Sequence, residues 1–128
     1  MRILLDTQAF LWSVSESERL SPRARRAIRA GSNEVFLSAA SAWEIAIKTR
    51  LGRLRLGADP ETFVPDQMSR NALLPLPVLV AHALKVAALP DTHRDPFDRL
   101  LVAQAMVENL TLVSADRTLR AYGIDVVW

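Results

Sequence analysis

An α/β fold built on a mostly parallel sheet, with helices on both faces, is what this chain predicts. Three observations point there. Short strands alternate with helical segments from one end of the sequence to the other. The strands are continuous apolar runs rather than alternating ones, the pattern of strands buried on both faces. No repeat, low-complexity tract or linker interrupts the alternation, so residues 1–128 are expected to form a single domain. A chain of this length buries roughly 65–70% of its unfolded surface without disulfides or structural metals.

The elements follow in order. Arg2-Ile3-Leu4-Leu5 reads as a buried strand ending at Asp6, and Thr7 to Ser13 opens a short helix carrying Phe10, Leu11 and Trp12. Ser21-Pro22 is a cap and first-turn proline for a helix that runs to Ala30 and stops at Gly31. Glu34 to Ser38 is a second strand. Ser41-Ala42-Trp43-Glu44 fits a capping box, predicting that Ser41 opens the next helix, which keeps Ile45, Ile47 and Leu51 before Gly52. Gly57 to Arg70 holds a further helix, with Pro60 suited to its start and Pro65 interrupting it. Leu73 to Pro77 is an edge strand, because a sheet interior does not tolerate its prolines. Val78 to Ala88 is helical, with His82 partly buried, and Leu89 to Arg94 is a loop carrying His93, either as a plain loop residue or as one that supports the site from behind. Asp95 then caps a helix with Pro96 at its first position, running to about Asn109. Thr111 to Ser114 is a strand, Asp116 begins a short helix ending near Gly123, and Asp125 to Trp128 closes the sheet.

Composition excludes several functions. With no cysteine there is no disulfide framework, thiolate zinc site or cysteine nucleophile. No apolar run approaches the roughly 20 residues of a membrane helix, and no signal-peptide pattern opens the chain, so a soluble cytoplasmic protein is expected. The net charge is +2, yet setting aside four acids discussed below leaves 16 basic residues against ten acidic. Fourteen of the basic residues are arginine, the side chain that best forks onto phosphate. Arg19, Arg23, Arg25, Arg26 and Arg29 share one segment, while Lys48, Arg50, Arg53 and Arg55 mark the end of another. The first set is read first as a solvated face, with phosphate contact the lesser alternative, and the second gives its helix end and the following loop a basic character.

Four acids occupy the places where an open parallel sheet gathers its ligands, beyond the carboxyl ends of the strands. Asp6 ends the first strand, Glu44 is expected in the first helical turn after the second, Asp98 lies at the third position of the Pro96 helix, and Asp116 follows the fourth strand. Glu44, Asp98 and Asp116 each have a plain alternative as helix-capping acids. Asp6 is the hardest to explain in that way, because an apolar strand end leaves it largely desolvated, where an unpaired charge is costly. Carboxylates brought together must take up protons or a cation. With no cysteine or histidine pair, an all-oxygen site selects Mg²⁺ or Mn²⁺. A hard ion that keeps water suits hydrolysis of a phosphodiester, with one carboxylate orienting the attacking water.

Four stretches carry a family resemblance: Leu5-Asp6-Thr7 with Leu11-Trp12 after it; Ser41-Ala42-Trp43-Glu44-Ile45-Ala46-Ile47-Lys48; Asp95 to Ala105; and Leu112-Val113-Ser114-Ala115-Asp116. Together they resemble a PIN domain, in particular the VapC-like toxins of toxin–antitoxin pairs. The resemblance implies a three-layer α/β/α sandwich and Mg²⁺- or Mn²⁺-dependent endoribonuclease activity leaving a 5′-phosphate and a 3′-hydroxyl. It implies Asp6, Glu44, Asp98 and Asp116 as catalytic and metal-site acids, with Asp6 and Asp98 the principal ligands. Thr7, Ser114 and Asp95 would support them from behind. It also implies an RNA substrate, a cognate antitoxin and a homodimer; Trp12 and Trp43 are candidates for those surfaces, although a core position is expected for each. One departure is Gln8, which stands where this branch often has histidine and cannot titrate near neutrality. Two other readings compete. A phosphohydrolase with an aspartyl nucleophile needs a second acid two residues after Asp6, where Gln8 stands. A non-catalytic basic α/β module binding RNA or a protein partner accounts for the arginines but not for four acids at one rim.

Overall fold

The computed structural model describes every residue from Met1 to Trp128. Five strands, β1 (Arg2–Leu5), β2 (Glu34–Ser38), β3 (Leu74–Leu76), β4 (Thr111–Val113) and β5 (Val126–Val127), form one all-parallel sheet in the order β3-β2-β1-β4-β5. The central strand is β1, where Ile3 is opposite Val35 on one side and Thr111 on the other. Its side chains alternate between two cores. Ile3 and Leu5 enter one and Leu4 the other, all fully buried. That is why the strand reads as an unbroken apolar run.

The helices are α1 (Thr7–Val14), α2 (Pro22–Arg29), α3 (Ala39–Arg50), α4 (Pro60–Arg70), α5 (Val80–Ala87) and α6 (Pro96–Glu108), with a 3₁₀ helix at Arg117–Tyr122. Phe10 of α1, Ala24 of α2, Ile45 of α3 and Val64 of α4 pack with Ile3, Leu5, Leu37 and Val113 in the first core. Leu101, Val102 and Ala105 of α6 join Leu119 and Tyr122 of the 3₁₀ helix against Leu4, Leu112 and Val126 in the second. The sheet is thus covered on both faces, the three-layer α/β/α arrangement. No helix is long and apolar enough to cross a membrane.

Local chemistry explains most of the boundaries. Ser21 caps α2 by accepting from the Ala24 N–H, with Pro22 next. Asp95 accepts from the N–H groups of Phe97 and Asp98 at the start of α6, and Asn109 ends that helix at φ 56°. Strand β3 pairs only with β2, so the missing N–H of Pro75 lies at an edge. Pro65 sits inside α4 without ending it. Three expectations need correction. Helix α3 begins two residues before Ser41: Ser38 is its cap, accepting from the Ala40 N–H, so the predicted capping box does not form and Glu44 lies in the second turn. His82 is fully buried rather than partly so, because its two ring nitrogens find partners in Leu79 N–H (3.0 Å) and Glu108 Oε2 (2.8 Å). Trp43 is 61% exposed, against its expected core position, and touches Phe97 edge-on at 5.5 Å. Trp12 is partly buried against the first core, beside Trp128.

Candidate active site

The strand order reverses at β1: β2 and β3 lie to one side, β4 and β5 to the other. Loops leaving β1 and β4 therefore diverge, opening a crevice at the carboxyl ends of these two strands. Asp6 follows β1 there and Asp116 follows β4 closely. Helix α3 brings Glu44 from the first layer, and α6 brings Asp98 from the second. The four line one cavity of ≈ 210 Å³, together with Thr7, Gln8, Trp12, Lys48 and Asp95. All four predicted acids are brought together, from elements more than a hundred residues apart at the extremes.

Each carboxylate is held differently. Asp6 caps α1, accepting from the Ala9 N–H at 2.7 Å, and has no cationic side chain within salt-bridge distance. Burial pushes its carboxyl above the usual carboxylate range, further raised by the charges of Glu44 and Asp116; hydrogen bonds from Ser114 and the Ala9 N–H pull in the opposite direction. Asp98 is pushed up to about 7, by burial first and then by the charges of Asp95, Asp6 and Glu44, with His93 opposing. Asp116 is held below its ordinary value, chiefly by the Thr118 hydroxyl and also by His93. Glu44 is buried with both oxygens engaged: Oε1 accepts from the Thr7 hydroxyl at 2.6 Å, and Oε2 pairs with Lys48 Nζ at 2.5 Å. It is not a capping acid.

The residues expected in support are close by. Thr7 Oγ1 also stands 3.1 Å from Ser41 Oγ, and Ser114 Oγ accepts from the Asp116 N–H at 3.1 Å. Asp95 works as the α6 cap. Two further residues stand at the site. Lys48, which ends the Ser41–Lys48 stretch and opens a basic run, was given no role of its own. His93, expected in the loop or in support of the acids, has its Nε2 2.9 Å from Asp116 Oδ2 and 3.7 Å from Asp98 Oδ2. A ligand atom from each of these three residues lies within 4.8 Å of the others, so the rim is not purely oxygen. Hydrogen bonding decides the role of the imidazole. Nδ1 accepts the Asp95 N–H (3.2 Å), leaving Nε2 to donate to Asp116. In this arrangement His93 orients a carboxylate and does not offer a lone pair to a metal. Arg99 fixes the loop that carries it, donating to the carbonyls of Pro90 (2.7 Å) and Val86 (3.2 Å) and to the Tyr122 hydroxyl (3.2 Å). A hint was available in the sequence, since an arginine in a capped first turn beside a short loop is placed to bind that loop's carbonyls.

The donor set fits a hard divalent cation. Asp6 and Asp98 are desolvated carboxylates whose charge nothing in the protein fully neutralises, and both therefore favour protons until a cation replaces them.

Fold and cavity together define an α/β/α protein with an acid-lined pocket at the switch point of a parallel sheet. Residues 3–125 match the family described as PIN domain, and the chain belongs to that family. It is 47% identical over 66 residues to ribonuclease VapC16 of Mycobacterium tuberculosis, a stretch covering 50% of this chain and 47%, less than half, of that protein. It is 31% identical over 121 residues to ribonuclease VapC22 of the same organism, covering 94% of this chain and 91% of that one. Among solved structures, it resembles VapBC2 of Rickettsia felis bound to a promoter DNA fragment, with a TM-score of 0.73 and 14% identity over 98% of this chain and 97% of that chain. DNA-bound VapBC of Salmonella typhimurium gives a TM-score of 0.71 at 17% identity, covering 98% and 96%. At those identities the two structures speak for the fold alone.

Proposed function

We propose that this chain is a metal-dependent endoribonuclease and the toxin of a toxin–antitoxin pair. The observation that carries the reading is the convergence of Asp6, Glu44, Asp98 and Asp116 on one cavity, with the carboxyls of Asp6 and Asp98 displaced upward by burial. The relationship to ribonucleases VapC16 and VapC22 supports RNA as the substrate. Asp6 and Asp98 would hold Mg²⁺ or Mn²⁺, with Asp116 alongside. An ion bound there would acidify a water and offset the charge that builds on phosphorus during hydrolysis.

The chain's own groups prepare that site. The Ala9 N–H fixes Asp6, the Asp95 cap fixes the first turn of α6 under Asp98, and His93 with Thr118 fixes Asp116. Preorganisation of this kind removes reorientation from the barrier. The cleaved strand would carry a 5′-phosphate on one side and a 3′-hydroxyl on the other.

The partners follow from the same reading. VapBC complexes among the structural neighbours support an antitoxin. An apolar groove of ≈ 290 Å³, lined by Leu11, Trp12, Leu54, Leu56 and Phe63, adjoins the acidic cavity through Trp12 and Gln8 and would receive an antitoxin segment. A homodimer would cover α5, where Val80 is 77% and Leu84 69% exposed. A non-catalytic binding module is not favoured, because it provides no reason for desolvated Asp6 to face three other acids.

The test is RNA cleavage with Mg²⁺ or Mn²⁺ by the wild type, Asp6→Asn and Asp98→Asn, each checked for folding by circular dichroism. Both variants are expected to lose cleavage while remaining folded. Retained cleavage in both, with contaminating nuclease excluded, rejects the assignment.

A further inference from the structure

Among the residues lining the acidic cavity, Lys48 is the one cationic side chain. It stands one turn beyond Glu44 on α3, with its ammonium 2.5 Å from Glu44 Oε2. Glu44 is 7% exposed at its side chain, whereas Lys48 is 39% exposed. The pair therefore has a buried negative end and an accessible positive one. Because Thr7 holds the other oxygen of Glu44, this carboxylate has no oxygen without a polar partner. Asp6 and Asp98 differ sharply, since neither is paired at such a distance with a lysine or arginine. Beyond Lys48, Arg50, Arg53 and Arg55 are exposed at the end of α3 and after it, and Arg55 lines the groove that adjoins the acidic cavity through Gln8 and Trp12.

We infer that Lys48 is a positioning residue that withholds Glu44 from the metal until an RNA phosphate draws the ammonium away. The inference rests on the metal-dependent ribonuclease reading and adds to it a regulation of metal number. Without RNA, the Glu44 carboxylate is paired inside the protein, and the cavity offers ligands for one ion through Asp6 and Asp98. A polyanion entering the cavity gives Lys48 a second acceptor. Once Lys48 bonds to phosphate, Glu44 Oε2 loses its ammonium partner and can help hold a second ion, so that full metal loading follows substrate binding.

The experiment is Mn²⁺ titration without RNA, followed by the paramagnetic resonance signal of free Mn²⁺, on the wild type and three variants. Lys48→Met removes the charge. Lys48→Gln removes it while keeping a hydrogen bond to Glu44, which protects the fold. Lys48→Arg keeps the charge. One ion per chain is expected for wild type and Lys48→Arg. Two are expected for Lys48→Met and Lys48→Gln, the second bound at least ~10-fold more tightly than in wild type, since a unit charge a few ångströms away has gone. Adding Glu44→Gln to Lys48→Gln should abolish the second ion. For the phosphate half, binding of a labelled 2′-O-methyl oligoribonucleotide is measured against salt in EDTA. The slope of log affinity against log salt should become shallower by about 0.7 in Lys48→Gln, one fewer ion contact with a single strand. Unchanged stoichiometry and affinity in Lys48→Gln, or an unchanged salt slope, overturns the inference while leaving the nuclease reading standing. A wild type that binds no Mn²⁺ at all overturns both.

Discussion

Replacing Asp98 by asparagine should make the metal-free protein more stable at neutral pH, although it removes a group proposed for catalysis. Burial, Asp95 and Asp6 raise the Asp98 carboxyl from 3.8 to about 7. The folded state thus holds this proton more tightly than the unfolded chain does. Its contribution to stability is complete below pH 3.8 and is lost progressively as pH rises towards 7. A gap of about three pH units at about 1.36 kcal/mol each gives an upper bound near 4 kcal/mol. The side chain is 27% exposed. Water screens part of the penalty, and ~1–2 kcal/mol is the realistic figure. Asparagine carries no charge to desolvate, so in EDTA at pH 7.5 Asp98→Asn should melt about 3–8 °C above wild type. At pH 4 that advantage should vanish. Saturating Mn²⁺ should reverse the order, because an ion at a hundred times its Kd stabilises only the protein that binds it, by about 2.7 kcal/mol. Calorimetric scans of both proteins, at two pH values, with EDTA and with Mn²⁺, measure every quantity involved. An asparagine variant that is less stable than wild type in EDTA at pH 7.5, or that keeps the full Mn²⁺ shift, refutes the reasoning.

Other outcomes follow from the same geometry. Metal affinity should fall by up to about tenfold per pH unit below 7, as Asp98 takes up the proton a cation must displace, and calorimetric titration at stepped pH measures it. His93→Ala should keep the fold but lower cleavage and metal affinity by ~10–100-fold, since Asp116 loses the donor that aims it; unchanged Mn²⁺ affinity would show that His93 has no such role. His82→Ala should cost ~2–4 kcal/mol in denaturant unfolding, leaving a cavity and stripping a buried partner from Glu108 and the Leu79 N–H.

The sheet was legible because its central strand is buried on both faces, so that Ile3, Leu4 and Leu5 announce themselves as one apolar run. The four acids were legible for a related reason. A carboxylate at the end of such a strand is costly to desolvate, and strand ends are where an open sheet gathers its ligands; that Asp6 also caps α1 was not foreseen. What could not be read were contacts set by packing between layers. Ser38 took the cap expected of Ser41 because α3 starts directly at the strand end, leaving no loop between them. That shift of two to three residues moved Glu44 from a capping position to one facing Thr7 and Lys48. Arg99 holds the His93 loop against α5, donating to the carbonyls of Pro90 in the loop and Val86 on the helix, and no periodicity in the sequence records that clamp. Trp43 looked like core by its chemistry, yet the helix phase set by Ile45 turns it outward.

The central claim is that these carboxylates together seat a divalent cation, and anomalous diffraction from Mn²⁺-soaked crystals tests it most directly. A manganese peak in the cavity, with oxygens of Asp6 and Asp98 among its nearest protein atoms, is the expected result. Saturating Mn²⁺ that leaves this cavity without a peak, or that is held only by carboxylates elsewhere on the surface, would contradict it.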